Sequence, residues 1–344
     1  MKISENWLRE WVNPEVTSEE LVEQLTMLGL EVDEVLAAAG DFNNVVVAEI
    51  TALEKHPDAD KLNVCQVDVG ADEKLQIVCG APNARVGLKA PLAMIGAVLP
   101  GNFKIKKSKL RGLESNGMLC SNVELGLSDD HSGLLELAAD AVVGTDIRDH
   151  FELNDSIIDI DLTPNRADCF CLKGIAIDIA CLNQLQIKAP ESVTVAATIN
   201  DTLKVTIAAQ KQCPRYLCRV INNIDNSKTT PTWMQEKLRR SGIRSIHPVV
   251  DVTNYVMLEL GQPMHGFDKH SINGSIQVKM ATKGEKFTLL DGKEVTLDES
   301  FLMIADENEY LAIAGVMGGL DSGCSDHTTD IVLESAYFDP ATIM

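Results

Sequence analysis

Apolar and polar positions change their spacing several times along the chain. In residues 1–39 the spacing is helical. Thr17 and Glu20 stand as in a capping box, and Leu21, Leu25 and Leu28 then fall on one face before Gly29. So short a helix does not bury its face alone, which predicts a partner elsewhere in the chain. Trp7 and Trp11, four apart, read as core residues. From about 40 to 150 the pattern shortens to β runs at Val45–Ile50, Leu62–Val69 and Leu75–Val78, separated by glycines and prolines. That rhythm predicts a small antiparallel barrel.

Residues 151–190 begin with an alternating strand, Ile158 to Leu162. Pro164-Asn165 predicts a turn, Asp168 an N-cap, and Leu172, Ile175, Ile179 and Leu182 one apolar helix face. Residues 191–200 read as a linker. From 201 to 344 strands and helices mix. Strands are expected at Leu203–Ala208, Tyr216–Ile221, Phe301–Ala305, Leu311–Ala314 and Ile331–Leu333, the last leading into Glu334. A helix follows Pro231-Thr232 and closes at Gly242. A hairpin pairs Phe287–Leu290 with Glu294–Leu297 around a type I′ turn at Asp291-Gly292. The pattern as a whole predicts an α+β multidomain chain.

The run from 243 to 270 stands apart. It holds three of the seven histidines (His247, His265, His270) together with Asp251, Asn254, Glu259, Gln262 and Asp268. Val249, Val250, Val252, Tyr255, Val256, Leu258 and Leu260 supply apolar mass that is expected to be buried. Polar groups near element ends on an apolar frame suit a small-molecule site.

Composition narrows the classes. A chain of 344 residues is expected to form two or three domains. No apolar run approaches the roughly 20 residues needed to span a bilayer, and MKISENWLREWV lacks the apolar core of a signal peptide. Nine cysteines with no CxxC pair argue against zinc and for reduced thiols in a cytoplasmic protein. Asp159, Asp161 and Asp168 lack ligand spacing, so no metal site is expected. A net charge of −21, taken alone, argues against general nucleic-acid binding, because phosphate is repelled. Any RNA contact needs a local basic patch. Lys104, Lys106, Lys107, Lys109 and Arg111 provide one with no acid among them; the commoner use of such a run is a solvated loop. Phe103 is the one aromatic nearby, so the expected contact is electrostatic rather than sequence-reading.

Walker, HEXXH and GxGxxG motifs are absent from the sequence, and it offers no Ser–His–Asp set, which leaves water as the candidate nucleophile. The glycines of GVMGG, Gly315 to Gly319, follow a strand and permit close approach of a ligand or backbone.

Two segments carry a resemblance. HPVVDVTNYVMLELGQPMHGFD at 247–268, and AIAGVMGGLDS with TTDIVLESAYFDP at 312–340, resemble the B3/B4-type editing domain in β subunits of bacterial phenylalanyl-tRNA synthetases. The runs VVVAEITALEKHPDADKLNVCQVDVG, QIVCGAPN, KLRG and NGMLCSNVELGL resemble the OB-fold tRNA-binding insert of the same subunit. TPNRADC resembles the second half of its split first domain. The resemblance implies a split N-terminal domain at 1–39 plus 151–190, a tRNA-binding barrel at 40–150 and an editing domain at 201–344. It also implies a longer chain, continuing past Met344 with a threonine and an alanine of the pocket.

In function it implies tRNA(Phe) and a catalytic α subunit in an α2β2 assembly as partners. ATP and Mg2+ would serve the full enzyme, with no cofactor held by these residues. The implied reaction is hydrolysis of mischarged tyrosyl-tRNA(Phe). The implied pocket is Arg244 on the acceptor end of the tRNA or a polar partner, His265 near the ester, Gly318 leaving room for an aromatic amino acid and Glu334 accepting from a phenol. A pocket that requires the phenol would reverse a preference that a hydrophobic site enforces only about a hundredfold. By residue type alone, a glutamate at a strand end is solvated or salt-bridged, and His247 is structural. His270 and His327 are expected to be exposed, and Asp251, Asn254 and Gln262 to be scaffold. The alternatives are a non-catalytic RNA-binding and assembly module and a free-standing editing hydrolase.

Overall fold

The structure, a computed structural model, describes residues 1–129, 131–191 and 193–344. Asp130 in the barrel segment and Ser192 in the expected linker lie outside the described residues. The chain forms two compact units. One comprises Ser4–Asn6 with Asp33–Asp159; the other comprises Met1–Ile3, Trp7–Val32 and Ile160–Met344. The fold class is α+β and multidomain. Among the described residues, no helix is long and apolar enough to cross a membrane.

In the unit centred on 33–159, five antiparallel strands lie in the order Gly117–Leu119, Lys89–Leu99, Asn43–Lys55, Asn63–Asp68, Leu75–Cys79. Phe103–Lys104 also pairs with Lys89–Leu99. The sheet curls until its edges meet: Asn116 N donates to Gln76 O at 2.9 Å, and Val78 N donates to Ser115 Oγ at 3.1 Å. The run VVVAEI is nearly continuous in apolar residues because both faces of its strand are covered. Val45 and Val47 enter one core with Phe42, Leu99 and Ile105. Ala48 and Ile50 enter another with Cys65, Val67, Ile77 and Leu92.

The expected type I′ turn is not at Asp291-Gly292. There Leu289 bonds across to Lys293, leaving a three-residue loop in which Gly292 is left-handed. A type I′ turn needs two left-handed residues in succession, and such a pair occurs at Arg111-Gly112, with φ of +50° and +93°. This pair closes the hairpin of Ser108–Leu110 and Leu113–Ser115.

In the second unit, helix Ser18–Met27 has its capping box: Thr17 Oγ1 accepts from Glu20 N at 3.2 Å, and the Glu20 carboxylate accepts from Thr17 N at 2.8 Å. Its Gln24 exchanges amide bonds with Asn183 at the end of helix Leu172–Asn183, at 3.2 and 2.8 Å. Asp168 does not cap that helix; Cys171 does, without a side-chain bond. Asp168 lies in a 3-10 turn over Pro164–Cys169, where the Arg166 guanidinium holds it at 3.0 Å and Asp178 at 2.5 Å. Asp168 stands three residues before that cap position. Leu182, expected on the buried face, is exposed.

Helix Pro248–Leu260 departs in part from the expected burial, with Val249, Val250, Tyr255, Val256 and Leu258 half-buried. Asp251, Thr253 and Glu259 are buried, while Val252 is 45% exposed and Leu260 is exposed. The buried acids are satisfied. Glu259 accepts from Trp11 Nε1 at 3.3 Å and from the Tyr255 hydroxyl at 2.9 Å. Trp7 stacks on Tyr255 with ring centroids 5.1 Å apart. Lys237 Nζ, on helix Thr232–Arg240, lies 5.0 Å over the Trp7 ring and binds Glu10 at 2.6 Å.

Two sheets complete this unit. One has five strands in the order Val205–Ile207, Ile276–Met280, Leu302–Ala305, Tyr310–Ile313, Met317–Gly318, parallel at the first pair and antiparallel thereafter. The other has Arg215–Ile221, Ile331–Tyr337 and His265–Asp268, all antiparallel. They share a core in which Tyr216, Phe267 and Val332 meet Ile276, Val278, Leu302, Ile304 and Leu311.

Candidate functional site

Glu334 does not follow a strand; it stands in the middle of Ile331–Tyr337. Alternation puts it on the same face as Val332, which is core, so its side chain enters the space between the two sheets. Its residue is 7% exposed. In register, Glu334 sits directly opposite His265 on one side and Cys218 on the other. His265 opens the strand His265–Asp268. Opposed residues of antiparallel strands share a face, so Cys218, Glu334 and His265 form a row.

No ion pair satisfies Glu334 among the described residues. The Tyr216 hydroxyl donates to its Oε2 at 2.6 Å. Burial pushes the carboxyl up to about 7, and the Tyr216 bond acts in the other direction. The Tyr216 phenol is itself pushed up, by burial first and then by the nearby carboxylate. Burial holds the His265 imidazole below its ordinary value, so the ring is neutral at pH 7. His265 Nε2 is shut off from solvent and has no hydrogen-bond partner among the described residues. The ring packs edge-on to Phe267 at 4.4 Å.

Gly318 belongs to the five-stranded sheet but reaches this row. A Cβ built on it would lie 2.8 Å from His265 Cε1 and 3.1 Å from Nε2. The space that glycine leaves is therefore filled by the imidazole. Around it, Leu290, Val316, Met317 and Leu320 are exposed, and Leu290 N is fixed to Gly318 O at 3.0 Å. A polar cavity of about 450 Å³ borders the next segment, with Phe287, Thr288, Tyr310 and Gly319 to Ser322 in its wall.

Arg244 lies in the loop before helix Pro248–Leu260, exposed and with no hydrogen bond or ion pair among the described residues. The loop itself is fixed. Asp251, fully buried, accepts from the Thr230 hydroxyl, from Ser245 Oγ at 2.5 Å and from Ile246 N at 2.9 Å. His247 caps the helix through Nδ1, which accepts from Val250 N at 3.5 Å, so its Nε2–H donates to Cys324 O at 3.3 Å. Beside this loop is a cavity of about 240 Å³ lined by Asn226, Thr230, Ser245 and His247, among others. His270 and His327 are exposed.

The structure thus brings His265, Glu334 and Gly318 together and leaves Arg244 on a separate, rigid loop. It adds Tyr216 and Cys218, which sequence reasoning did not single out. Their signal was the alternation Tyr216, Cys218, Val220 on one face of a strand. Lys104, Lys106, Lys107, Lys109 and Arg111 belong to the other unit and are all exposed. Their surroundings are not free of acid: Lys107 binds Glu114 at 2.8 Å, and Lys109 stands opposite Glu114 in the hairpin.

A buried carboxyl opposite a neutral histidine, in a unit separate from a curled antiparallel sheet, defines a two-part protein with a polar site walled by two sheets. Residues 212–344 match the B3/4 domain family and residues 45–146 the "Putative tRNA binding domain" family. Over its full length the chain is 58% identical to the phenylalanine--tRNA ligase beta subunit of Idiomarina loihiensis, and equally to that of Pectobacterium atrosepticum. It spans 43% of the length of each. A solved N-terminal fragment of the phenylalanyl-tRNA synthetase beta subunit from Pyrococcus horikoshii aligns over 55% of this chain and 58% of its own. Its identity is 14% and its TM-score 0.33, a likeness too slight to bear on the fold. Over its whole length the chain is thus similar to part of the bacterial phenylalanine--tRNA ligase beta subunit, with a tRNA-binding and a B3/4 domain matched in it.

Proposed function

We propose that this chain binds tRNA(Phe) through the barrel unit and hydrolyses mischarged tyrosyl-tRNA(Phe) at the His265–Glu334 row. The observation that carries this reading is Glu334, a carboxyl set on the core face of a strand, without a cation, directly opposite a histidine whose Nε2 lacks a partner among the described residues. Nothing in folding calls for such a pair, since burying a carboxyl costs stability. An aminoacyl ester is labile enough that the site need only hold water and the ester in line. Neutral His265 orients the attacking water or the terminal ribose through Nε2. Glu334 accepts a hydrogen bond from the tyrosine hydroxyl. Phenylalanine leaves that bond unmade and is spared. Arg244 meets the acceptor end of the tRNA.

In the assembled enzyme, aminoacylation with ATP and Mg2+ is assigned to an α subunit in an α2β2 complex in the cytoplasm. The residues here do not fit a magnesium site. Among the described residues, the one cluster with ligand spacing is Asp168, Cys169 and Asp178, and the Arg166 guanidinium fills it, 2.7 Å from Cys169 Sγ. No step is routed through a metal. Residues 1–39 and 151–190 are read as two halves of one domain, with the Gln24–Asn183 exchange in support. The barrel at 40–150 is read as its insert, and 201–344 as the editing domain.

The test is deacylation of tyrosyl-tRNA(Phe) and phenylalanyl-tRNA(Phe) by the purified chain, by His265→Ala and by Glu334→Ala. Hydrolysis of the tyrosyl ester alone, lost in both variants, is expected. Activity untouched by both changes removes the site. Binding without hydrolysis favours the RNA-binding and assembly reading.

A further inference from the structure

Glu334 has a phenol on it before any substrate arrives. The Tyr216 hydroxyl donates to Oε2 from the neighbouring strand, where Tyr216 pairs with Ala336, two residues beyond Glu334. The two side chains are therefore diagonal neighbours on one face, within reach by construction. Both residues are buried. The other groups near the carboxyl are thiols and an imidazole: Cys218 and His265 opposite it, and Cys213, whose Sγ is bonded to Arg215 O. None brings a fixed positive charge.

We propose that Tyr216 is the positioning residue for phenol recognition, holding Glu334 by Oε2 so that Oε1 alone is presented to the substrate's hydroxyl. This rests on the editing reading above. It follows from the inventory of a carboxylate. Two oxygens offer several acceptor positions, and a free carboxylate rotates to use any of them. With Oε2 engaged, the plane of the carboxyl is set and the direction of the second oxygen is fixed. A group held in one direction discriminates between substrates better than one that must be ordered on binding. Tyr216 also governs protonation. When Glu334 takes up a proton while Oε2 still accepts from Tyr216, the proton belongs on Oε1, and the oxygen meant to accept becomes a donor.

Tyr216→Phe keeps the ring and removes the hydroxyl. Two measurements are made on it and on the wild-type chain: titration of the 13C-labelled Glu334 carboxyl, and the ratio of kcat/KM for tyrosyl- over phenylalanyl-tRNA(Phe). Loss of the donor is expected to raise the Glu334 midpoint by about one pH unit. The ratio is expected to fall roughly tenfold, chiefly through KM for the tyrosyl substrate. An unchanged midpoint overturns the hold on Oε2. A shifted midpoint with an unchanged ratio overturns the role in specificity and leaves the editing reading standing. A wild-type chain that hydrolyses neither ester overturns both readings.

Discussion

Glu334 and His265 face each other across adjacent antiparallel strands, yet no hydrogen bond or ion pair joins them among the described residues. Each is shifted toward its neutral form by burial. The row is thus held in a state where neither group neutralises the other.

The burial of Glu334 has a stability signature. Its folded value, about 7, lies above its ordinary value of 4.5, so the folded chain holds the proton more tightly between those limits. Stability should fall as pH rises from about 4.5 and level off above about 7, for a loss of about 3 kcal/mol. Glu334→Gln removes this dependence. Urea melts at pH 5 and pH 8 should show the variant gaining on the wild type by roughly that amount. A gap that does not change with pH would mean that Glu334 ionises freely in the fold.

Gly318→Ala sets a methyl where the His265 ring now lies. The imidazole must give way, and the Phe267 ring two residues along the same strand, itself fully buried, leaves it little room. We expect a loss of about 1–3 kcal/mol in stability and roughly a hundredfold loss in deacylation. The imidazole resonances of His265 would report the displacement directly.

Asp251 collects three donors with one buried carboxylate. Asp251→Ala strands two hydroxyls and one backbone N–H and is expected to cost about 3 kcal/mol or more. Cleavage by a protease should become faster around residues 243–246, the loop that presents Arg244. Asp251→Asn should lie between the two.

For the basic hairpin, replacing Lys106, Lys107 and Lys109 together by Gln should weaken tRNA binding. It should also flatten the salt dependence, by roughly 0.7–0.9 for each phosphate that is no longer neutralised. Lys107→Gln alone should do least, because Glu114 already offsets that charge. Affinity measured at several salt concentrations decides it; an unchanged slope removes the hairpin from the interface.

Features set by neighbours in sequence were legible from the sequence. The Thr17–Glu20 capping box and the strand runs of the barrel depend on residues a few positions apart. The site depended on which strands meet. Nothing near Glu334 names His265 as its opposite, and nothing near Gly318 says that an imidazole fills its missing Cβ. By residue type alone Glu334 belongs at the surface and only the resemblance gave it a pocket, although the alternation of Val332, Glu334 and Ala336 already pointed it inward. Residue type likewise buried Val252 and Leu260 of helix Pro248–Leu260, where Asp251 and Glu259 found donors and took the interior. Asp168 was assigned as a cap because the 3-10 turn that delays the helix start to Leu172 was not read.

The stacking of Trp7 on Tyr255 also bears on how the chain is made. The linked bond from Trp11 to Glu259 spans 248 residues, and at about 5–20 residues per second the ribosome takes roughly 12–50 seconds to cover that distance. Throughout that interval the first helix lacks the Tyr255 and Glu259 contacts of its two indoles. The residues of 33–159, which have cores of their own, emerge meanwhile. The first helix made is thus among the last to complete its contacts, and a chain that stalls before Tyr255 leaves both indoles without them.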